Sequence, residues 1–124
     1  MASGILTDSF SRARIAAMAE TDWRRTADDH MEPALSANLA LRDAIRPMAA
    51  RHSTTVSAVA VAWALAWPGV TGAIVGARRP DQVDSWLRGG TLELTADDLA
   101  EIAAAIEHTG AGSGSVMPST PAQV

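Results

Sequence analysis

One short segment, residues 70–77 with the sequence VTGAIVGA, limits what this chain can fold into. A run of small and branched apolar residues of this length, bounded by Pro68 and Gly69, predicts a buried β-strand. Such a strand must form hydrogen bonds with neighbouring strands. The rest of the 124-residue chain offers only the stub of a second strand, within residues 1–7. We therefore expect a mostly helical chain whose one clear strand, about residues 70–76, needs strands from elsewhere.

The remaining sequence predicts helices. Pro47 interrupts one helical pattern, so we expect that helix to bend near residues 43–47. Thr95 and Asp98 have the spacing of a capping box, and Gly110 is a typical helix stop. The residues 56–67 are almost wholly apolar and predict a helix buried on nearly all sides. The predicted helices span residues 11–19, 33–50, 56–67, 80–90 and 95–110.

Composition excludes several classes of function. The net charge of −4 argues against a nucleic-acid-binding protein. The absence of cysteine excludes disulfides and thiolate metal sites, and the three histidines are too far apart in sequence for a metal site. No apolar run is long enough for a membrane span, and the N-terminus lacks a basic leader region, so a cytoplasmic protein is expected. The chain contains neither tyrosine nor lysine, because all ten of its Lys and Arg positions are arginine.

Two arginines follow the predicted strand directly. Arg78 and Arg79 stand before Pro80, which fits the first position of the next helix. A helix N-terminus attracts anions, and the planar guanidinium group suits phosphate oxygens. The sequence therefore indicates a phosphate monoester pocket, although solvated loop arginines would give the same pattern.

The other polar residues carry weaker signals. Residues 20–33 are charged and predict a surface loop anchored by Trp23. We expect its acidic residues, and the pair Asp97 and Asp98, to face solvent. Trp86 packs or faces a ligand, while Trp63 and Trp67 have the spacing of core residues.

Three segments together resemble the C-terminal part of an aldo/keto reductase: MASGILT, AVAVAWALAWPGVTGAIVGARRPDQV and LELTADDLAEI. The resemblance covers most of residues 1–106 in the order and spacing of that family. It implies a (β/α)8 TIM barrel that binds NADP(H) at the carboxyl ends of its strands. Residues 1–3 would end the seventh strand, residues 4–9 would form a loop near the cofactor pyrophosphate, and residues 70–75 would be the eighth strand.

The resemblance also implies cofactor-binding residues. Gly76, Ala77 and Gln82 match the family pattern, Arg78 takes the position of a 2′-phosphate contact, and Arg79 would assist. Weaker expectations attach to the set Ala2, Ser3, Gly4, Ser85 and Trp86. Two departures from the pattern weaken the match. Ser85-Trp86 replaces the family's Glu-Asn at the adenine, and Asp8-Ser9 replaces its Gly-Lys at the pyrophosphate.

The implied reaction is hydride transfer from NADPH to a small carbonyl substrate. The family's catalytic Tyr, Asp, Lys and His come from the first half of the barrel, and no catalytic residue is assigned in this chain. We therefore expect residues 1–110 to be the C-terminal portion of a barrel, beginning at the end of strand seven, and residues 111–124 to be a disordered tail. The chain alone would be inactive and bind NADP(H) weakly or not at all, and its partner would be the missing N-terminal barrel part.

A second hypothesis is a non-enzymatic helical module. The apolar helix predicted at residues 56–67 would then bind a partner through an exposed face. Its prediction differs from that of the barrel fragment, because a stand-alone module must fold cooperatively without further strands.

Overall fold

The computed structural model describes residues 2–118 and is helical throughout the regular parts of that range. The five α-helices are α1 (Arg12–Ala16), α2 (Ala34–Arg51), α3 (Val56–Leu65), α4 (Pro80–Leu87) and α5 (Ala96–Thr109). Short 3₁₀ turns occupy Ala2–Gly4, Trp23–Arg25, Asp28–His30 and Arg88–Gly90. The expectation of a mostly helical chain is therefore confirmed.

Local sequence signals position the helix ends. The Thr55 hydroxyl accepts a hydrogen bond from the Ala58 N–H at 3.1 Å and so caps α3. Thr95 and Asp98 form the predicted capping box at the start of α5. Gly110 ends α5 with a φ of 68°, a left-handed conformation that favours glycine. Each of these groups satisfies a backbone group that the helix itself leaves unpaired.

The structure shows no break in α2 at its internal proline, where the sequence predicted a bend. The helix runs without interruption from Ala34 to Arg51, with Pro47 inside it. Pro47 has no N–H to donate to the preceding turn. A bend at this proline therefore stays a prediction, while the continuity of the helix is established.

The main core lies where α2, α3 and α5 meet. The buried apolar residues of this core are Ile45, Met48, Ala49, Val56, Val59 and Ile102. Every residue of α3 is at least half-buried, as the sequence predicted, although the helix ends two residues early at Leu65. A second, smaller cluster of Ile5, Phe10 and Leu35 packs the N-terminal segment against the start of α2.

The predicted strand at residues 70–76 is wrong for the part of the chain that the structure describes. Residues 71–77 belong to no helix or strand, and their backbone groups make no backbone hydrogen bond within residues 2–118. Ile74 is fully exposed, and Val70 is exposed as well. The pattern suits a strand, but residues 2–118 contain no second strand to pair with it. The expected end of strand seven is wrong too, since Ala2–Gly4 is a 3₁₀ turn; Met1 lies outside the described residues.

The sequence also predicted that the chain has no membrane span and that its C-terminal tail is disordered. None of the helices within residues 2–118 is both long and apolar enough to cross a membrane. Residues 111–118 form no helix or strand, and Ala111 is buried. Residues 119–124 lie outside the described part, so the predicted disordered tail at 111–124 stays a prediction.

Candidate functional site

Half of the ten predicted site residues lie at or just before the N-terminus of α4. Arg79 is its N-cap and Pro80 its first residue. The side-chain oxygen of Gln82 accepts hydrogen bonds from the backbone N–H of Arg78 at 2.7 Å and of Arg79 at 3.3 Å. Gln82 therefore fixes the backbone of both arginines, and its oxygen is engaged in capping the helix.

Arg79 is neutralised by a neighbour on its own helix. Its guanidinium donates from Nε to Asp81 Oδ1 at 3.1 Å and from Nη2 to Asp81 Oδ2 at 2.8 Å. Both side chains are exposed. The hydrogen bonds from Arg79 lower the pKa of Asp81, and the same contacts raise the pKa of Arg79. Both groups are therefore charged at neutral pH and face each other.

Arg78 differs from Arg79 in its ion pairing. Within residues 2–118 its exposed guanidinium forms no ion pair. Its charge nevertheless reaches the loop before α2, where it contributes to lowering the pKa of Asp22. Hydrogen bonds from the Arg24 side chain and backbone are the larger causes of that lowered pKa. The Asp22–Arg24 ion pair therefore lies within electrostatic range of Arg78.

Gly76 and Ala77 are exposed, and no hydrogen bond holds them within the described range. The sequence predicted that Gly76 allows a tight turn. A Cβ built at Gly76 meets no atom within 4 Å, and its φ is not left-handed. The structure gives no steric reason for glycine at this position.

The second half of α4 is anchored to the turn between α2 and α3. The Thr55 hydroxyl donates to the Ser85 carbonyl, and Arg88 Nη1 donates to the Ser53 carbonyl at 2.9 Å. The Ser85 hydroxyl donates to the Gln82 carbonyl at 2.7 Å, inside its own helix. The Ser85 proton is therefore engaged within the helix, while its oxygen can still accept a hydrogen bond, and a ligand contact by Ser85 stays a prediction.

The contact between α3 and the turn after α4 is close. A Cβ at Gly89 would lie 2.5 Å from the Ala58 carbonyl oxygen and 2.7 Å from the Val61 Cβ. Gly89 is buried, so this approach requires a residue without a side chain. Together with the two hydrogen bonds, it holds α4 against the core.

Trp86 lines a cavity of about 240 Å³ between α3, α4 and residues 71–75. Its indole N–H is buried without a hydrogen-bond partner in the described range. Both alternatives for Trp86, packing and facing a ligand, therefore stay predictions.

The N-terminal members of the predicted site are not joined to α4. Ser3 is exposed with a φ of 52°, and Gly4 has a φ of 105°. The Thr7 hydroxyl donates to the Gly4 carbonyl at 2.6 Å, and Ala2 belongs to the same 3₁₀ turn. Within residues 2–118, no hydrogen bond or ion pair links this turn to residues 76–82.

Sequence reasoning missed a polar cluster between α2 and α5, centred on the buried Asp98. Asp98 was expected to face solvent but is buried. Its Oδ2 accepts hydrogen bonds from the Thr95 N–H and hydroxyl at 3.0 Å each and lies 2.9 Å from His52 Nε2. Burial works to raise the pKa of Asp98, but the bonds from Thr95 and His52 outweigh it and lower that pKa. The capping-box spacing was the available signal for this cluster.

The loop before α2 is held by a different residue from the one predicted. Trp23 is 64% exposed, whereas His30 is 3% exposed. The imidazole of His30 lies edge-on to the Phe10 ring, with ring centroids 5.6 Å apart. The predicted anchor at Trp23 is therefore wrong.

No group of three or more His, Asp or Glu side chains in residues 2–118 is arranged to hold a metal ion. In the comparison with known families, the model of the aldo/keto reductase family matches residues 1–107. The search of curated proteins gives no match.

Proposed function

Because the chain belongs to the aldo/keto reductase family, whose members are oxidoreductases, we propose that its α4 region binds the 2′-phosphate side of NADP(H). Arg78 is the principal phosphate contact, since its guanidinium is exposed and unpaired within residues 2–118. The backbone beside it is held by Gln82, which keeps the arginine in place. This free cation beside a fixed helix start is the observation that carries the proposal.

The residues fit the cofactor only in part. Arg78 suits a phosphate dianion. Asp81 adds negative charge near the expected 2′-phosphate, whereas Asp8 is paired with Arg46 at 2.8 Å. Ser85 donates a hydrogen bond inside its own helix, and Trp86 lines the cavity beside α3. We therefore assign binding to Arg78, with Arg79 assisting, Gln82 positioning both, and Gly76 and Ala77 leading into the contact. Ala2, Ser3 and Gly4 stay predicted contacts on the pyrophosphate side.

The chemistry requires groups from elsewhere. NADPH would supply a hydride to the carbonyl carbon of a small substrate, and a proton donor must then act at the carbonyl oxygen. The chain has no tyrosine or lysine to take the family's roles there. We propose that residues 2–110 form the cofactor-phosphate side of a barrel, and that strands and catalytic groups from further polypeptide complete it. The exposed and unpaired residues 71–77 support this proposal.

Binding experiments on Arg78 test the proposal. NMR titration of the labelled 124-residue chain with NADPH and NADH would give weak binding with a preference for NADPH. In the variant Arg78→Ala, NADPH binding should weaken about three- to tenfold, because one charge-assisted contact is lost at an exposed site. NADH binding should change little, since NADH lacks the 2′-phosphate.

The variant Arg14→Ala is the matched control. Arg14 is exposed and forms no ion pair within the described residues. Its loss should leave the NADPH preference unchanged. Equal weakening of NADPH and NADH by Arg78→Ala would contradict the phosphate role.

The alternative of a helical interaction module is not supported. The apolar residues that would bind the partner are already used, because Val56, Val59 and Val61 are buried within the chain. The helix α3 is therefore the centre of the core, rather than an exposed docking face.

A further inference from the structure

The two arginines at the start of α4 differ in the ion pairing of their side chains. Arg79 is held by Asp81 through two hydrogen bonds, whereas Arg78 forms no ion pair within residues 2–118. The backbone N–H groups of both bond to the same Gln82 oxygen. The difference between them therefore lies in the side chains and has its source in Asp81.

We propose that Asp81 limits phosphate affinity at this site by keeping Arg79 paired. This inference rests on the proposed phosphate site and adds a regulating residue to it. Asp81 holds the Nε and Nη2 donors of Arg79, so a phosphate that binds this edge of the guanidinium must displace the carboxylate. Arg78 then provides the main contact, and Arg79 contributes fully only when Asp81 is neutral.

The exposure of the pair makes this competition possible. The Arg79 and Asp81 side chains are 69% and 65% exposed. An ion pair in such a position is weak, because water and salt screen it. A phosphate dianion carries more charge than a carboxylate, so it can draw Arg79 away. The remaining Asp81 carboxylate would still repel the phosphate.

Charged groups lie near Arg79 on α4 and on the loop before α2, where the Asp22–Arg24 ion pair is within electrostatic range of the neighbouring Arg78. Arg78 lies beside Arg79 in sequence, Asp81 faces Arg79, and Asp84 lies one turn further along α4. The Asp84 side chain is exposed and forms no hydrogen bond or ion pair within the described range. Asp84 therefore offers a matched control, with the same charge on the same helix but no contact with Arg79.

The first experiment compares Asp81→Asn with Asp84→Asn. The probes are adenosine 2′,5′-bisphosphate and adenosine 5′-monophosphate, titrated into the labelled chain and followed by NMR. Asp81→Asn should lower the dissociation constant for the bisphosphate about threefold at low ionic strength, and less at high salt. The monophosphate should be affected much less, and Asp84→Asn should have a clearly smaller effect on the bisphosphate.

The second experiment measures the coupling directly. Arg79→Gln should weaken bisphosphate binding only slightly when Asp81 is present, because Arg79 is already occupied. In the Asp81→Asn background, Arg79→Gln should weaken bisphosphate binding more. The dissociation constant should rise by about the factor by which Asp81→Asn had lowered it. A double-mutant cycle of this kind isolates the pair from general charge effects.

The outcomes separate the two proposals. If the chain prefers the bisphosphate through Arg78 but Asp81→Asn acts no more strongly than Asp84→Asn, or weakens binding, the role of Asp81 is overturned and the phosphate site stands. If no variant distinguishes bisphosphate from monophosphate and Arg78→Gln changes nothing, the phosphate site fails and the role of Asp81 fails with it.

Discussion

The helix α3 and the segment at residues 71–77 are both apolar, yet they differ in burial. In α3 the side chains are buried between α2, α4 and α5, whereas Ile74 in the segment is fully exposed. A helix satisfies its own backbone and needs only a surface to pack against. A strand needs another strand for the same purpose. Of these two apolar segments, the one that satisfies its backbone locally is buried, and the one that needs a partner strand is exposed.

Truncating one apolar side chain in each region gives the sharpest test of this contrast. Met48 is 1% exposed in the main core, and Met48→Ala should reduce the free energy of unfolding by about 2–5 kcal/mol. Ile74→Ala, the control, should change it by less than about 0.5 kcal/mol, because Ile74 loses no contacts. Urea unfolding followed by circular dichroism measures both. Equal losses would mean that the segment is packed as tightly as the core.

Adding a methyl group tests the same contrast from the other direction. Gly89→Ala would force a Cβ to within 2.5 Å of the Ala58 carbonyl oxygen, so we expect a loss of about 1–3 kcal/mol and displacement of α4. Gly76→Ala, with no atom within 4 Å of the new Cβ, should be neutral or slightly stabilising. Thermal unfolding of the two variants would decide, and a neutral Gly89→Ala would contradict the close approach of α4 to α3.

A third test compares a buried carboxylate with an exposed one. Asp98 has a lowered pKa in the folded chain, so its contribution to stability is present above its unfolded pKa of about 3.9 and is lost as pH falls through the folded pKa. Asp98→Asn should cost about 1 kcal/mol at pH 7 and flatten the acid side of the stability profile.

The matched variant is Asp81→Asn, which removes an exposed carboxylate from the first turn of α4. Its stability effect should be smaller, because the Arg79–Asp81 pair is screened by water. Unfolding free energies measured between pH 2 and 7 provide the comparison. A larger effect at Asp81 than at Asp98 would reverse the predicted ranking.

Local signals allowed the helices to be predicted. Thr95 and Gly110 mark the ends of one helix through contacts within a few residues, and the structure confirms both. The strand at residues 70–76 failed because pairing depends on residues far away or on another chain. The burial of Asp98 and His30 also escaped prediction, since it depends on where α2 meets α5 and the N-terminal segment.

The candidate site divides in the same way. The position of Arg78 and Arg79 before Pro80 followed directly from the sequence. The pairing of Arg79 with Asp81 and the capping by Gln82 did not, although both partners lie within four residues. Charge and residue type alone do not say which of two adjacent arginines a nearby carboxylate will hold.

The open backbone of residues 71–77 has a consequence for solubility. Unpaired N–H and C=O groups beside apolar side chains are a template for aggregation between copies. Prolines and like charges at the ends of such a segment oppose this, because they interrupt pairing and repel a second copy. Pro68 and Pro80 bracket the segment, and Arg78 adds a positive charge at its end, whereas Arg79 is balanced by Asp81. We therefore expect Arg78, the arginine assigned to phosphate, to oppose pairing between copies of the segment as well.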